Sequence, residues 1–200
     1  MSNIIYEFGG GLYINLTNQC PCNCSFCIRE QYDGVGSASS LWLEKDPTAE
    51  AVISGLKNIS LEGFEEIVFC GFGEPFCALN NMLRVCRYLR GRDGCPPVRI
   101  NTNGLGDLIN EISTAPLLEG LVDCVSISLN APDAAKYTDI CRPSFGSKSF
   151  DAMLSFARGC KNHVENVIFS VVDTLSKEDI EKCRSIADSM GIPLRVRTVE

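Results

Sequence analysis

Cys124-Val125-Ser126-Ile127-Ser128-Leu129-Asn130 alternates apolar and polar side chains over its last six residues. In an extended strand successive side chains point to opposite faces, so Val125, Ile127 and Leu129 share one face and Ser126, Ser128 and Asn130 the other. The same alternation recurs along the chain. Asn15 and Thr17 alternate with Ile14 and Leu16, Asn101 and Asn103 with Ile100 and Thr102, and Arg195 and Arg197 with Leu194 and Val196. A strand covered by helices on both faces is apolar on both. One polar face repeated over four strands predicts a polar lumen, as in a barrel that holds a ligand. The alternative is a solvent-exposed face on edge strands, but edge placement does not serve four strands at once.

Working outward from these runs, six segments read as strands: 12–16, 66–71, 98–104, 124–130, 167–172 and 194–199. They are rich in Val and Ile, and several end at Gly, Asn or Asp. Helical patterns lie between them. Asp46 and Pro47 read as an N-cap and a first-turn proline opening a helix over 48–59. Further helices are expected over 81–90, 149–160 and 176–190, the last followed by Gly191 and Pro193. Strand and helix in alternation give a parallel sheet. Together with the polar face, this predicts an α/β fold built as a partial, open (β/α)6 barrel. No linker, repeat or low-complexity tract divides residues 1–200, which are expected to form a single core domain.

The chain has 200 residues, 45% hydrophobic and 22% charged, which suits a globular fold with a real core. Its net charge of −7 disfavours nonspecific nucleic-acid binding. No apolar run approaches the roughly 20 residues that span a bilayer, and the start MSNIIYEFGGG has neither the cationic nor the apolar region of a secretory leader. A cytoplasmic protein without a membrane partner is expected. Twelve cysteines stand out. Four cluster between Cys20 and Cys27, and others sit inside apolar or helical stretches, where a free thiol behaves as a small hydrophobe. The pattern predicts reduced thiols and no structural disulfides.

The cluster reads Asn18-Gln19-Cys20-Pro21-Cys22-Asn23-Cys24-Ser25-Phe26-Cys27 and follows the first expected strand, at the face where a barrel carries its active site. Cys20, Cys24 and Cys27 have the spacing C-x3-C-x2-C. Three thiolates on one loop hold three irons of a [4Fe–4S] cluster and leave the fourth open to a ligand. Cys22 complicates the assignment, since it could replace Cys20 or Cys24 as a ligand; neither alternative gives C-x3-C-x2-C, and Cys22 is expected to be free or adjacent to the ligands. Two other readings stay open. Zinc usually takes paired C-x2-C motifs or histidines, whereas His163 is the single histidine here. An electron-transfer cluster usually takes four cysteines, and Cys22 or a distant cysteine would have to supply the fourth.

C-x3-C-x-aromatic-C after a first strand, with Phe26 as the aromatic, resembles the signature of the radical S-adenosylmethionine (SAM) superfamily. Gly71-Phe72-Gly73-Glu74-Pro75 is similar to that family's GGEP motif, Asn101-Thr102-Asn103-Gly104 to its T-N-G, and Ser126–Asn130 with Ala131 to its S-L-D/N-A stretch. The resemblance covers residues 12–199. It implies a partial barrel, a [4Fe–4S] cluster on Cys20, Cys24 and Cys27, and SAM as the cofactor on the open iron. Phe26, Gly73, Glu74, Ser128 and Asn130 would contact SAM, Glu74 at its amino group and Ser128 and Asn130 at its ribose or carboxylate. An external electron donor such as flavodoxin or ferredoxin is implied as a partner. Asn101 stands where glycyl-radical activating enzymes commonly carry Asp, which separates the chain from that subfamily. The spelling of the cysteine loop, GFGEP and the short length are together similar to the small TatD-associated radical SAM proteins, which implies a TatD-family hydrolase as a partner. No auxiliary-cluster domain is expected.

The substrate is not written in these motifs. Arg195 and Arg197 on the last strand, and Arg142 after the fourth, are candidates for binding an anionic substrate group. Asp173, after the fifth expected strand, is a weaker candidate for a SAM contact and reads equally as a helix-entry residue. Cys141 has the chemistry of a hydrogen-atom donor, and Cys77 has no assigned role. Arg84, Arg87 and Arg90 share one helix face and read as solvated. The Gly/Ser-rich loop 31–40 reads as a lid or a mobile connection. Two functions follow: an enzyme cleaving SAM reductively to a 5′-deoxyadenosyl radical and acting on an unidentified small molecule or on a peptide or protein, or a non-catalytic iron–sulfur electron-transfer or partner protein.

Overall fold

The structure, a computed structural model, describes residues 3–198. Among them, seven strands form one sheet in sequence order: β1 (Ile5–Phe8), β2 (Gly11–Ile14), β3 (Ile67–Phe69), β4 (Val98–Thr102), β5 (Cys124–Ser128), β6 (Asn166–Val172) and β7 (Leu194–Arg197). β2 to β7 run parallel, and β1 and β7 are the two free edges, so the barrel is open. The six parallel strands are those expected from the alternation, five of them shorter by one to three residues and β6 longer by one. Val199, at the end of the expected last strand, lies outside the described residues.

β1 is the addition. It pairs antiparallel with β2 through a two-residue turn, Gly9-Gly10, in which both residues have positive φ (53° and 83°). Such a turn matches the right-handed twist of the strands it joins, and glycine adopts it without strain.

Among the described residues six α-helices connect the strands: α1 (Ala49–Leu56), α2 (Leu79–Arg90), α3 (Gly106–Asn110), α4 (Ala134–Cys141), α5 (Lys148–Cys160) and α6 (Lys177–Met190). The first is capped two residues later than its sequence suggests. Thr48 is the N-cap, its hydroxyl accepting from Ala51 N–H, while the Asp46 carboxylate instead accepts from Thr17 Oγ1 (2.9 Å). α6 starts and stops at the residues its sequence marks, Ser176 accepting from Asp179 N–H and Gly191 following at φ 59°. α3 and α4 were not anticipated.

The alternation sorts the strand residues as predicted. Ile67, Phe69, Val98, Ile100, Val125, Ile127, Phe169 and Val171 are fully buried on the outer face beneath the helices. They pack with Val52 and Leu56 of α1, Met82, Val85 and Leu89 of α2, and Met153 and Phe156 of α5. Burying a side chain of this size contributes roughly 1.5–3 kcal/mol. This face therefore drives folding and leaves the inner face free to be polar.

Two residues of the expected polar face do not reach the lumen. Asn15 is buried and donates to Asn3 O (3.0 Å) and Leu41 O (2.7 Å), and Thr17 turns to Asp46. Both lie past the end of β2, where they tie down the loop that follows. That loop is not loose. Gly36 adopts φ 60° against Glu7 O, Ser37 N–H donates to Glu7 O (2.9 Å), and Ser37 Oγ accepts from Glu7 N–H (2.8 Å). The Gly/Ser-rich segment thus covers the edge of β1, a common way of protecting an unpaired strand.

Candidate functional site

The C-terminal ends of the parallel strands open into a cavity of about 550 Å³. Its wall includes the sulfur-bearing loop after β2, the Gly71–Glu74 turn after β3, and the inward side chains of β4 to β7. Cys20, Cys22, Cys24 and Cys27 all line it, as does Phe26. The loop is fastened to the end of α4 by backbone bonds: Asn23 N–H donates to Cys141 O (3.0 Å), Ser25 N–H to Ile140 O (2.9 Å), and Ser144 N–H to Pro21 O (2.7 Å). Cys24 sits between the first two, its sulfur 3.8 Å from Cys141 O. Asn103 Nδ2 lies 3.9 Å from Cys20 Sγ and 3.8 Å from Cys22 Sγ, so one side-chain amide donates toward two sulfurs.

The thiols differ electrostatically. A hydrogen bond from Cys22 holds Cys20 below the usual thiol range, and bonds from Cys141 and Cys22 do the same for Cys24. Cys22 and Cys141 are pushed up in turn, as the proton donors to those neighbours. Burial raises Cys27, and it raises Cys77 to about 12.

Glu74 is the most enclosed carboxylate of the site, 3% exposed. Its Oε1 accepts from Phe76 N–H (3.2 Å) and Thr102 Oγ1 (2.7 Å), and its Oε2 from Asn103 N–H (2.7 Å). Burial pushes its carboxyl up to about 7 against those three donors. Its own N–H donates to Gln19 O (2.8 Å), which joins the Glu74 turn to the cysteine loop.

Gly73 belongs to the same joint. A Cβ placed on it would stand 2.3 Å from Thr17 O and 2.6 Å from Gln19 O, so only glycine lets the two segments meet. Backbone atoms do not yield as side chains do. Gly73→Ala is therefore expected to destabilise the apo-protein by about 1–3 kcal/mol in urea unfolding; an unchanged midpoint would refute the close-approach account.

Ser128 and Asn130 also line the cavity. Asn130 holds a positive φ of 55°, its Nδ2 donates toward Cys141 Sγ (3.8 Å), and its Oδ1 is buried with no partner. An acceptor left in that state calls for a donor from a ligand. Arg195 and Arg197 reach the cavity from β7. Arg142 does not: it is an exposed residue with φ 45° at the end of α4, its N–H bonded to Thr138 O (3.0 Å). Asp173 lies just after β6, its N–H donating to Arg197 O (2.9 Å).

Sequence reasoning missed three contributors. Thr102 and Asn103 hold Glu74, and Asn103 also serves the sulfurs. Arg99 fills the closed end of the lumen, donating from Nε to Glu66 Oε2 (2.8 Å), from Nη2 to Glu66 Oε1, and from Nη1 to Asn101 Oδ1 (2.7 Å). The Asn101–Gly104 motif pointed to the first two; nothing local announced the third.

All twelve cysteines are free thiols. The donor set fits an iron–sulfur cluster, since four cysteine sulfurs on one loop face one cavity. Zinc would usually take paired C-x2-C motifs or histidines. Among the described residues no three His, Cys, Asp or Glu side chains converge on a single ion, and His163 is spent on Glu119 (2.9 Å). A multi-iron cluster has no need of such convergence, because each thiolate binds a different iron. No helix among the described residues is long and apolar enough to cross a membrane.

Comparison with known proteins agrees with this geometry. The family model of the Radical SAM superfamily matches residues 14–190. A probable dual-specificity RNA methyltransferase RlmN of Streptococcus thermophilus is 26% identical over 137 residues, 62% of this chain and 32% of the relative. The RlmN of Exiguobacterium sibiricum is 27% identical over 144 residues, 65% of this chain and 37% of the relative. The chain thus spans about a third of the length of these curated relatives. Among solved structures, a radical SAM methyltransferase from Sphaerobacter thermophilus matches with a TM-score of 0.66 at 16% identity, over 97% of this chain and 68% of that one. Methylornithine synthase (PylB) matches with a TM-score of 0.57 at 17% identity, over 95% and 53%. At these identities the likeness is one of fold. The family model covers most of the chain, and it brings with it SAM and an iron–sulfur cluster as the cofactors of the group. The chain belongs to the radical SAM superfamily of enzymes.

Proposed function

We propose that residues 1–200 form one radical SAM core domain that cleaves SAM at a [4Fe–4S] cluster and acts on a small organic substrate. The observation that carries this reading is the meeting of four cysteine sulfurs, the Glu74 carboxylate and the unpartnered Asn130 oxygen at one cavity. Cys20, Cys24 and Cys27 are the residues that would hold the cluster, which supplies the electron for reductive cleavage of SAM to a 5′-deoxyadenosyl radical. Glu74 would accept from the SAM ammonium, in an orientation fixed by Thr102 and Asn103. Ser128 and Asn130 would serve its hydroxyls or carboxylate, Gly73 would let the backbone approach, and Phe26 would close one side. The recessed cavity would keep water from the radical.

The RNA methyl transfer named for the curated relatives is not carried over. The chain shares only about a third of their length, and its net charge of −7 opposes binding to a polyanion. The likeness to TatD-associated proteins, and a TatD-family hydrolase as partner, rest on motif spelling and length. Flavodoxin or ferredoxin is the proposed electron source, and the cytoplasm the proposed location.

Anaerobic reconstitution followed by dithionite and SAM should yield 5′-deoxyadenosine, detected by chromatography. Its absence from a preparation with an intact cluster would favour the non-catalytic iron–sulfur reading.

A further inference from the structure

Three arginines line the lumen, and their charges are met differently. Arg99 is neutralised by Glu66 through two nitrogens. Arg195 and Arg197, on β7, make no ion pair among the described residues, and Arg197 Nε is buried without an acceptor. This chain has 25 acidic residues against 18 basic ones, so carboxylates are not scarce. A guanidinium that is drawn from water and left unpaired is costly unless something else supplies the anion.

The sheet register says where that anion would sit. Arg195 is level with Ser170, and Ser170 with Ser128, while Arg197 is level with Val172. Paired residues of neighbouring strands share a face. The two guanidiniums and the two hydroxyls therefore face the same cavity, all on its β5–β7 side, whereas Glu74 and the cysteine loop follow β3 and β2. β1 is covered by the loop around Ser37, but β7 is an unpaired edge with Val196 40% exposed, so the cationic side adjoins the open side of the barrel.

We propose that Arg195 and Arg197 form the seat for an anionic group of the substrate, a carboxylate or phosphate carried by a small organic molecule. The proposal rests on the reading of the chain as a radical SAM enzyme. The planar guanidinium fork binds either group through paired hydrogen bonds, and Ser170, level with Arg195, adds a hydroxyl donor. A half-buried Arg197 beside an exposed Arg195 at the open side of the lumen suits a small acid that enters from solvent. SAM carries a carboxylate of its own, and the same chemistry would receive it.

Inorganic phosphate is the probe, titrated anaerobically into the reconstituted, SAM-bound protein and followed by calorimetry. Saturable binding is expected, weakened at least about tenfold in Arg197→Gln and in Arg195→Gln, and unchanged in Arg84→Gln, which lies on α2 away from the cavity. Affinity for SAM should stay within about twofold in Arg197→Gln. Absence of saturable phosphate binding, or wild-type phosphate affinity in both lumen variants, overturns the proposal. A roughly tenfold loss of SAM affinity also overturns it, by assigning the arginines to the SAM carboxylate. Should Arg197→Gln not fold, the exposed Arg195 carries the decision. The radical SAM reading is tested apart, by 5′-deoxyadenosine formation in the wild-type protein: phosphate binding without cleavage overturns that reading, and cleavage without phosphate binding overturns this one.

Discussion

Cys24→Ala loses the iron–sulfur cluster on anaerobic reconstitution, and Cys22→Ala keeps it. The expectation follows from how the loop is held. Hydrogen bonds from Asn23 and Ser25 to the end of α4 fix the backbone on both sides of Cys24, which points its sulfur into the cavity. Cys22 is the most enclosed of the four, 5% exposed, and its sulfur faces the Asn103 amide and the neighbouring thiols. Removing a thiolate ligand from a three-cysteine site leaves one iron without a protein bond, and such clusters do not survive the loss. Removing Cys22 takes away a donor to Cys20 and Cys24 and leaves a small void. Bound iron, acid-labile sulfide and visible absorption should therefore fall to near zero in Cys24→Ala, as in Cys20→Ala and Cys27→Ala, and stay near wild type in Cys22→Ala. The reverse pattern would move the ligand role to Cys22 and break the C-x3-C-x2-C assignment. The effect is all-or-none, so modest differences in reconstitution yield cannot mimic it.

What could be read in advance divides along the range of the interactions involved. β2 to β7 were legible because a period-two pattern reports a strand and its two faces at once, and Val125 against Ser126 is enough to say which side meets helices. The cysteine loop and GFGEP were legible because their spacing is local. β1 was missed although Gly9-Gly10 marked a hairpin turn, since its four residues carry only a weak alternation around Glu7. α4 was missed although Asp133 caps it by accepting from Lys136 N–H, a local signal overlooked beside the stronger Ser126–Asn130 stretch. Arg99 was not legible at all. Its neutrality depends on Glu66, on a different βα unit, and nothing in Val98–Thr102 says that an arginine there will be buried. Arg142 erred in the opposite sense: it follows the correct strand, but its left-handed backbone at the end of α4 turns it to solvent. Two of the three donors to Glu74 lie 28 and 29 residues away, so the carboxylate was visible and most of its environment was not.

That environment makes Glu74→Gln the second large effect, both on SAM affinity and on its dependence on pH. Glu74 titrates at about 7 in the folded apo-protein, against an ordinary value of 4.5, chiefly because it is buried. A carboxyl whose pKa is raised by folding favours the folded state below its unfolded value, and that contribution is lost as pH rises through the folded value. Between about pH 4.5 and 7 the wild-type apo-protein should lose about 3 kcal/mol from this group, and Glu74→Gln should not. Urea unfolding at the two ends of that window reads the difference. SAM binding should run the other way. An ammonium group brought to Glu74 favours the carboxylate, so binding below neutrality releases a proton and tightens as pH rises towards about 7. Gln cannot ionise, and its amide would set a donor against Asn103 N–H, which now donates to Oε2 at 2.7 Å. Losing one charge-assisted hydrogen bond costs about 1.5–3 kcal/mol, or roughly ten- to a hundredfold in affinity. Calorimetry in two buffers of different ionisation enthalpy counts the released proton. Wild-type affinity that is flat across the window, or a Gln variant that binds SAM as tightly as the wild type, would remove Glu74 from the SAM site and leave its buried charge as a device for holding Thr102 and Asn103.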